Sequence, residues 1–427
     1  MPAEHEGRSV WSRRRGSSEQ RSDAPTRDGD ASAPADPRMW AWATALGLTL
    51  LVAVYPQFAL GTLAPQLRDD LGIGPLGLGL LFVSFYVVAA AGSPLAGPIV
   101  DRIGGRRGCV TCLLIAALAM MAASLATSPG GLGLALLPAG AAVAMANPAT
   151  TRWALSADSA DRQGALVGFA QAGTQAGALV AGALGAASAL GLEWRGSLRI
   201  IAAVALLSAV LARWGPDDRV TAAQRPFSGG RSGGRAATME DGGRRYRRRL
   251  LVYAALMGVG SSVVLAHLPS YAVDDVRLGV VAAGATASLY GGVALICRLA
   301  LGPILRYTGG VDGVLPVLPI GAAVAIGSIA AGALSPSLMW IGTILFGVTG
   351  MTWQAVAFLA AGRAAAPGGS GRATGVLAAV FISGLLVGPP VAGLLIDVWG
   401  YGLAWLLAGS CSVLALAPMV RIRSPRS

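Results

Sequence analysis

Twelve runs of about twenty apolar residues, set apart by short polar turns, constrain this chain more than any other feature. A bilayer core about 30 Å thick needs roughly 20 residues at 1.5 Å each, with every backbone polar group satisfied inside the segment. The runs fall at approximately 39–64, 77–97, 108–128, 132–153, 165–190, 197–214, 250–273, 279–301, 314–334, 337–360, 374–396 and 402–420. Turn residues break them, as in Ser128-Pro129-Gly130-Gly131, Glu193-Trp194-Arg195-Gly196 and Ser335-Pro336-Ser337. The side chains are 54% hydrophobic and 13% charged, where a soluble domain carries about 25% charged residues. A soluble chain this apolar could not hide its surface. The expected fold is an all-α integral membrane protein with twelve transmembrane helices.

Composition also excludes chemistries. All 33 basic residues are arginine, so there is no lysine for a phosphate-binding loop or a Schiff base. ATP-driven transport by this chain alone is ruled out. Cys109, Cys112, Cys297 and Cys411 are too few and too scattered for a disulfide framework. Cys109-x-x-Cys112 lacks a second pair or histidines and reads as packing, and Gly72-x-Gly74-x-x-Gly77 contains Pro75 and reads as an external turn. The spans hold no cluster of acids or histidines, so neither an enzyme nor a cofactor or metal site is expected.

Arginine sets the orientation, because short cytoplasmic connections accumulate it. With the N-terminus inside, 29 of the 33 arginines fall on the cytoplasmic side, and only Arg68, Arg195, Arg199 and Arg277 fall outside. Both termini are then cytoplasmic, in the plasma membrane. Arginines spread over many loops offer no folded basic face for nucleic acid. Residues 1–38 and 215–249 are polar and Arg/Gly-rich and read as a disordered tail and linker; 421–427 forms a second cytoplasmic tail.

The chain repeats itself. At a shift of 205, Asp69-Asp70 falls on Asp274-Asp275, and Gly97-Pro98 on Gly302-Pro303. At a shift of 211, Gly164, Gly173, Gly177 and Gly182 fall on Gly375, Gly384, Gly388 and Gly393, and Trp194 on Trp405. Residues 39–214 and 250–420 are therefore two parallel six-helix halves, the plan of many secondary transporters around a midplane site.

Between the second and third spans stands Gly97-Pro98-Ile99-Val100-Asp101-Arg102-Ile103-Gly104-Gly105-Arg106-Arg107. Its spacing, G-x-x-x-D-R-x-G-x-R-R, resembles the signature of the major facilitator superfamily, in the loop where that family places it. The resemblance covers about 39–420 and implies a conformational latch made of Gly97, Asp101, Arg102, Gly104, Arg106 and Arg107. Gly97 would let two helices approach, Asp101 would cap a helix N-terminus across the halves, and the arginines would pair with Asp158 or Asp161. In the second copy Arg306 replaces the aspartate. The fifth and eleventh spans resemble a glycine motif of family antiporters, but the fifth lacks its proline, and Leu136 stands where efflux members carry an arginine.

Candidate solute- or ion-binding residues follow from polarity inside the spans. His267 is the one histidine there and the natural proton carrier. Arg298 could hold an anion, with snorkelling to the cytoplasm as the competing reading. Gln171 and Gln175 share a face about 200° from Gly173 and Gly177. Tyr55, Gln57, Asn147, Tyr271, Tyr290 and Gln354 complete the set. The residues point to a monomeric, proton-coupled transporter of a small organic solute. Proton-antiport efflux of drugs or metabolites is the alternative, and a non-transporting receptor or scaffold the alternative from another class.

Overall fold

The structure, a computed structural model, describes residues 37–216, 237–308, 310–364 and 370–420. Each apolar run folds as one helix or as short helices end to end. The first half holds α1 (Pro37–Thr62), α2 (Pro75–Ile103), α3 (Gly105–Ser124), α4 (Pro129–Ala154), α5 (Ala160–Ala186) and α6 (Trp194–Arg213). The second holds α7 (Ala237–Asp274), α8 (Val280–Leu299), α9 (Val311–Ala333), α10 (Pro336–Arg363), α11 (Ser370–Trp399) and α12 (Tyr401–Met419). Their starts follow local chemistry. Pro75, Pro129 and Pro336 open helices where the missing N–H costs nothing. The hydroxyls of Ser128 and Ser159 accept from the backbone N–H groups of Gly131 and Arg162.

Eleven of the twelve are apolar enough to cross a bilayer by composition alone. The twelfth, α5, has the length, but Gln163, Gln171, Thr174 and Gln175 lower its hydropathy. Large apolar side chains such as Leu118, Leu134, Leu207 and Ile296 stand exposed around the bundle, as lipid-facing surface requires.

The halves meet along two seams, α2 against α11 and α5 against α8. Repeat-related glycines make both. Gly173 and Gly177 lie on α1, and Gly384 and Gly388 on α7, inside their own halves. One or two turns on, Gly182 lies against Gly284 and Ser288 of α8, and Gly393 against Pro75 and Leu76 of α2, across the halves. Gly79 likewise lies on Pro389 and Pro390. A methyl at any of these three would overlap backbone. At the other end a methyl on Gly97, Gly164, Gly168 or Gly375 would meet nothing within 4 Å. The seams are tight at the end bearing Arg68 and Asp274 and parted at the end bearing Asp101 and Arg152.

Two expectations are corrected here. Gly97 makes no close helix approach, because it lies on the parted part of α2. The polar stretch 215–249 is not disordered throughout, since α7 begins at Ala237. Arginine is a good helix former. The helix is also held by Tyr246, which is buried and donates its hydroxyl to Asp312 Oδ1 at 3.4 Å. Residues 1–36, 217–236 and 421–427, read as tails and linker, lie outside the described residues.

Candidate functional site

Gln175 sits halfway along α5, fully buried. Arg298 belongs to the last turn of α8, but helix side chains lean toward the N-terminus, and its guanidinium reaches back into the bundle. Nη2 donates to Gln354 Oε1 of α10 at 3.1 Å. With its amide oxygen turned to the arginine, Gln175 accepts from Nη2 at 2.9 Å and Nε at 3.2 Å. Arg298 therefore does not snorkel to the helix end; two interior amides hold it, Gln354 of its own half and Gln175 across the halves. Three of the residues expected from sequence come together here.

A fourth and fifth lie one turn away. Gln171 Nε2 donates to Asn147 Oδ1 of α4 at 3.0 Å, and Asn147 is exposed. An exposed amide this far from a helix end needs water rather than lipid beside it, so the pair lines the gap between the halves. Toward the closed end the gap gives way to aromatic packing, with Tyr290 centred 6.4 Å from Phe58 and 5.9 Å from Phe346. The hydroxyls of Tyr55 and Tyr290 are buried without a partner among the described residues, at a cost of about 1–3 kcal/mol each. Gln57 accepts from the Tyr86 hydroxyl of α2.

His267 and Tyr271 lie elsewhere, in the closed end of α7. The His267 ring is 1% exposed, with Nε2 3.0 Å from the Pro389 carbonyl oxygen. Tyr271 donates to the Ala330 carbonyl at 2.8 Å, accepts from Ala333 N at 3.0 Å, and packs on Tyr401 and Trp405.

At the parted end, Asp101 caps no helix of the other half. It is 72% exposed and accepts from Arg152 Nη1 of its own half at 2.6 Å. Arg106 donates from Nη1 to the carbonyls of Arg213 and Gly215, both at 3.2 Å. Asp158 takes Arg162 at 3.7 Å rather than a motif arginine. The side chain of Asp161 lies outside the described residues. Arg102 and Arg107 are exposed. Gly104 turns the chain at φ +89°, where an L side chain is strained.

The repeated pairs Asp69-Asp70 and Asp274-Asp275 carry no motif, yet they supply ionic bonds at the closed end. Arg68 donates to Asp274 across the halves at 2.7 and 2.9 Å, and the Tyr401 hydroxyl donates to the same carboxylate at 2.6 Å. Asp274 holds the Arg68 guanidinium above its ordinary pKa. Asp397, at the end of α11, accepts from Leu76 N at the start of α2 at 3.1 Å, an anion on a helix N-terminus. Asp70 stays in its own half, bonded by Trp194 Nε1 at 2.9 Å and by Arg195. Those bonds, the Trp194 one foremost, hold its carboxyl below the usual range.

Comparison with known proteins decides the family. The profile of the Major Facilitator Superfamily matches residues 46–369. The chain belongs to this superfamily. It is a transporter-family membrane protein and not an enzyme. Solved superfamily structures share the fold. A D-xylose-proton symporter aligns with a TM-score of 0.75 at 16% identity, over 91% of this chain and 98% of its own. The nucleoside transporter NupG gives 0.70 at 16%, over 91% and 100%. A bacterial homolog of the human lysosomal transporter Spinster, in an inward-facing and occupied conformation, gives 0.66 at 14%, over 90% and 94%. No curated protein matches at the sequence level. At such identities the likeness shows the fold alone.

Proposed function

We propose that this chain is a secondary active transporter of a small organic solute in the plasma membrane, working as a monomer by alternating access and coupled to protons. One observation carries the reading. The seams between the halves are closed at one end and parted at the other, and the parted gap leads to polar side chains halfway along the helices. A closed scaffold or receptor has no need of such a gap. The Asp101 end is cytoplasmic in this proposal, from the arginine asymmetry, so the chain is inward-open. Asp101 is then a released latch, waiting with Arg152 for the state in which α2 and α11 meet. Proton coupling rests on His267 and on the resemblance in fold to a proton symporter.

The test is a lock. Cysteines replacing Arg68 and Asp274, joined by a reducible bifunctional thiol reagent, should stop uptake into proteoliposomes, and reductant should restore it. Full turnover with the link intact would rule out alternating access about this end.

A further inference from the structure

The structure assigns Arg298 a ligand: we infer that the solute carries an oxyanion, bound by the free face of this guanidinium between Gln175 and Gln354. The inference rests on the transport reading above and names the substrate class within it.

Charge is the first argument. Arg298 lies inside the bundle, and its two bonded partners are neutral amides. No aspartate or glutamate of the chain falls deep within a span; Asp101, Asp274 and Asp397 all stand at span ends. A cation taken from water without a counter-charge is costly. A tie between two glutamine amides could be made by a neutral donor, so tying them does not explain the charge. A bound anion does, because the loaded site is then neutral as it crosses mid-membrane.

Geometry is the second. A guanidinium has five N–H donors. Nε and Nη2 are spent on Gln175 and Gln354, which leaves Nη1 without a partner among the described residues. Its partner Gln175 lies one helical turn from Gln171, which bonds the exposed Asn147, so the site adjoins the gap. The amides fix the fork so that little freedom is lost on binding, and guanidinium bonds to carboxylate or phosphate oxygens are among the strong ones. Arg102, Arg107 and Arg363 stand exposed at the parted end and raise the local concentration of anions there.

The experiment uses the intact protein in proteoliposomes and a panel of small carboxylates and phosphate monoesters. Each is paired with its uncharged amide or dephosphorylated analogue, and neutral sugars and nucleosides are added. Thermal stabilisation and uptake are read for wild type, Arg298→Lys and Arg298→Gln. At least one acid should bind and be taken up while its uncharged analogue is not, and the two acid sets say whether carboxylate or phosphate is preferred. Arg298→Gln should abolish that binding, and Arg298→Lys, which keeps the charge but loses the fork, should weaken it on the order of ten- to a hundredfold. The inference falls if the uncharged analogue binds as well as the acid, if Arg298→Gln binds like wild type, or if no acid binds. Uptake of a neutral solute unaffected by Arg298→Gln would overturn the anion and leave transport standing. Uptake of nothing in the panel, with the cross-link at the closed end changing no accessibility at the other, would overturn transport itself.

Discussion

At the residue scale, position in the bundle decides what a polar side chain can do. His267 bonds to the Pro389 carbonyl behind the closed α2–α11 seam, so water reaches its ring only when that seam parts. If the proton rides there, His267→Gln keeps the bond to Pro389 but removes the titration. Solute exchange should survive in reconstituted vesicles while accumulation driven by a pH gradient is lost; an unchanged accumulation profile would make His267 a packing residue. Asp70 gives a second, simpler expectation. Its folded pKa is depressed by Trp194 and Arg195, so its stabilising contribution is present above the unfolded pKa and disappears as pH falls through the folded value. Thermal melts of Asp70→Asn in detergent should show a shallower loss of stability on acidification than wild type. A parallel acid limb would show that Asp70 contributes nothing to it.

At the scale of helices, the closed and parted ends carry different anions on different partners. Asp274 and Asp397 bridge the halves at the closed end, while Asp101 at the other end is paired inside its own half. Losing the half-exposed Arg68–Asp274 pair should cost the closed end about 1–2 kcal/mol once solvent screening is allowed for, a five- to thirtyfold shift in population. Ser270, one helical turn before Asp274 on α7, is 2% exposed. Thiol labelling of Ser270→Cys should accelerate by about that factor when Arg68→Ala is added, and an unchanged rate would show that the pair holds nothing shut. Asp101→Asn should bias the other way and cut transport about ten- to a hundredfold at equal expression. The helices themselves were legible because twenty-residue apolar runs have one way to cross lipid, and Gly182 and Gly393 were legible as a repeat. Which end they closed was not, because a glycine reports that something approaches and not what. The Gln171–Gln175 face was visible from helical periodicity. Its union with Arg298 and Gln354 was not, since it joins spans more than a hundred residues apart and reverses the usual snorkelling of a terminal arginine.

For the whole molecule, an even number of crossings in each half places Pro37, Pro216, Ala237 and Val420, where the described segments begin and end, on the Asp101 side of the bundle. In the proposed orientation, taken from the arginine asymmetry, that side is cytoplasmic. Arg298 drops out of the cytoplasmic set, because its guanidinium lies in the interior, but one residue among so many leaves the bias intact. The same asymmetry favours anions at the open end, so orientation and substrate class are linked: if the Asp101 end faced outward, the arginine-lined gap would collect its solute from outside the cell. A single cysteine at Ser228, in the connection, and another at Ser337, which opens α10 at the closed end, separate the two orientations. In intact cells a membrane-impermeant thiol reagent should label Ser337→Cys and spare Ser228→Cys until the membrane is permeabilised. Labelling of Ser228→Cys alone would invert the molecule, and the inward-open state proposed here would become its outward-open one.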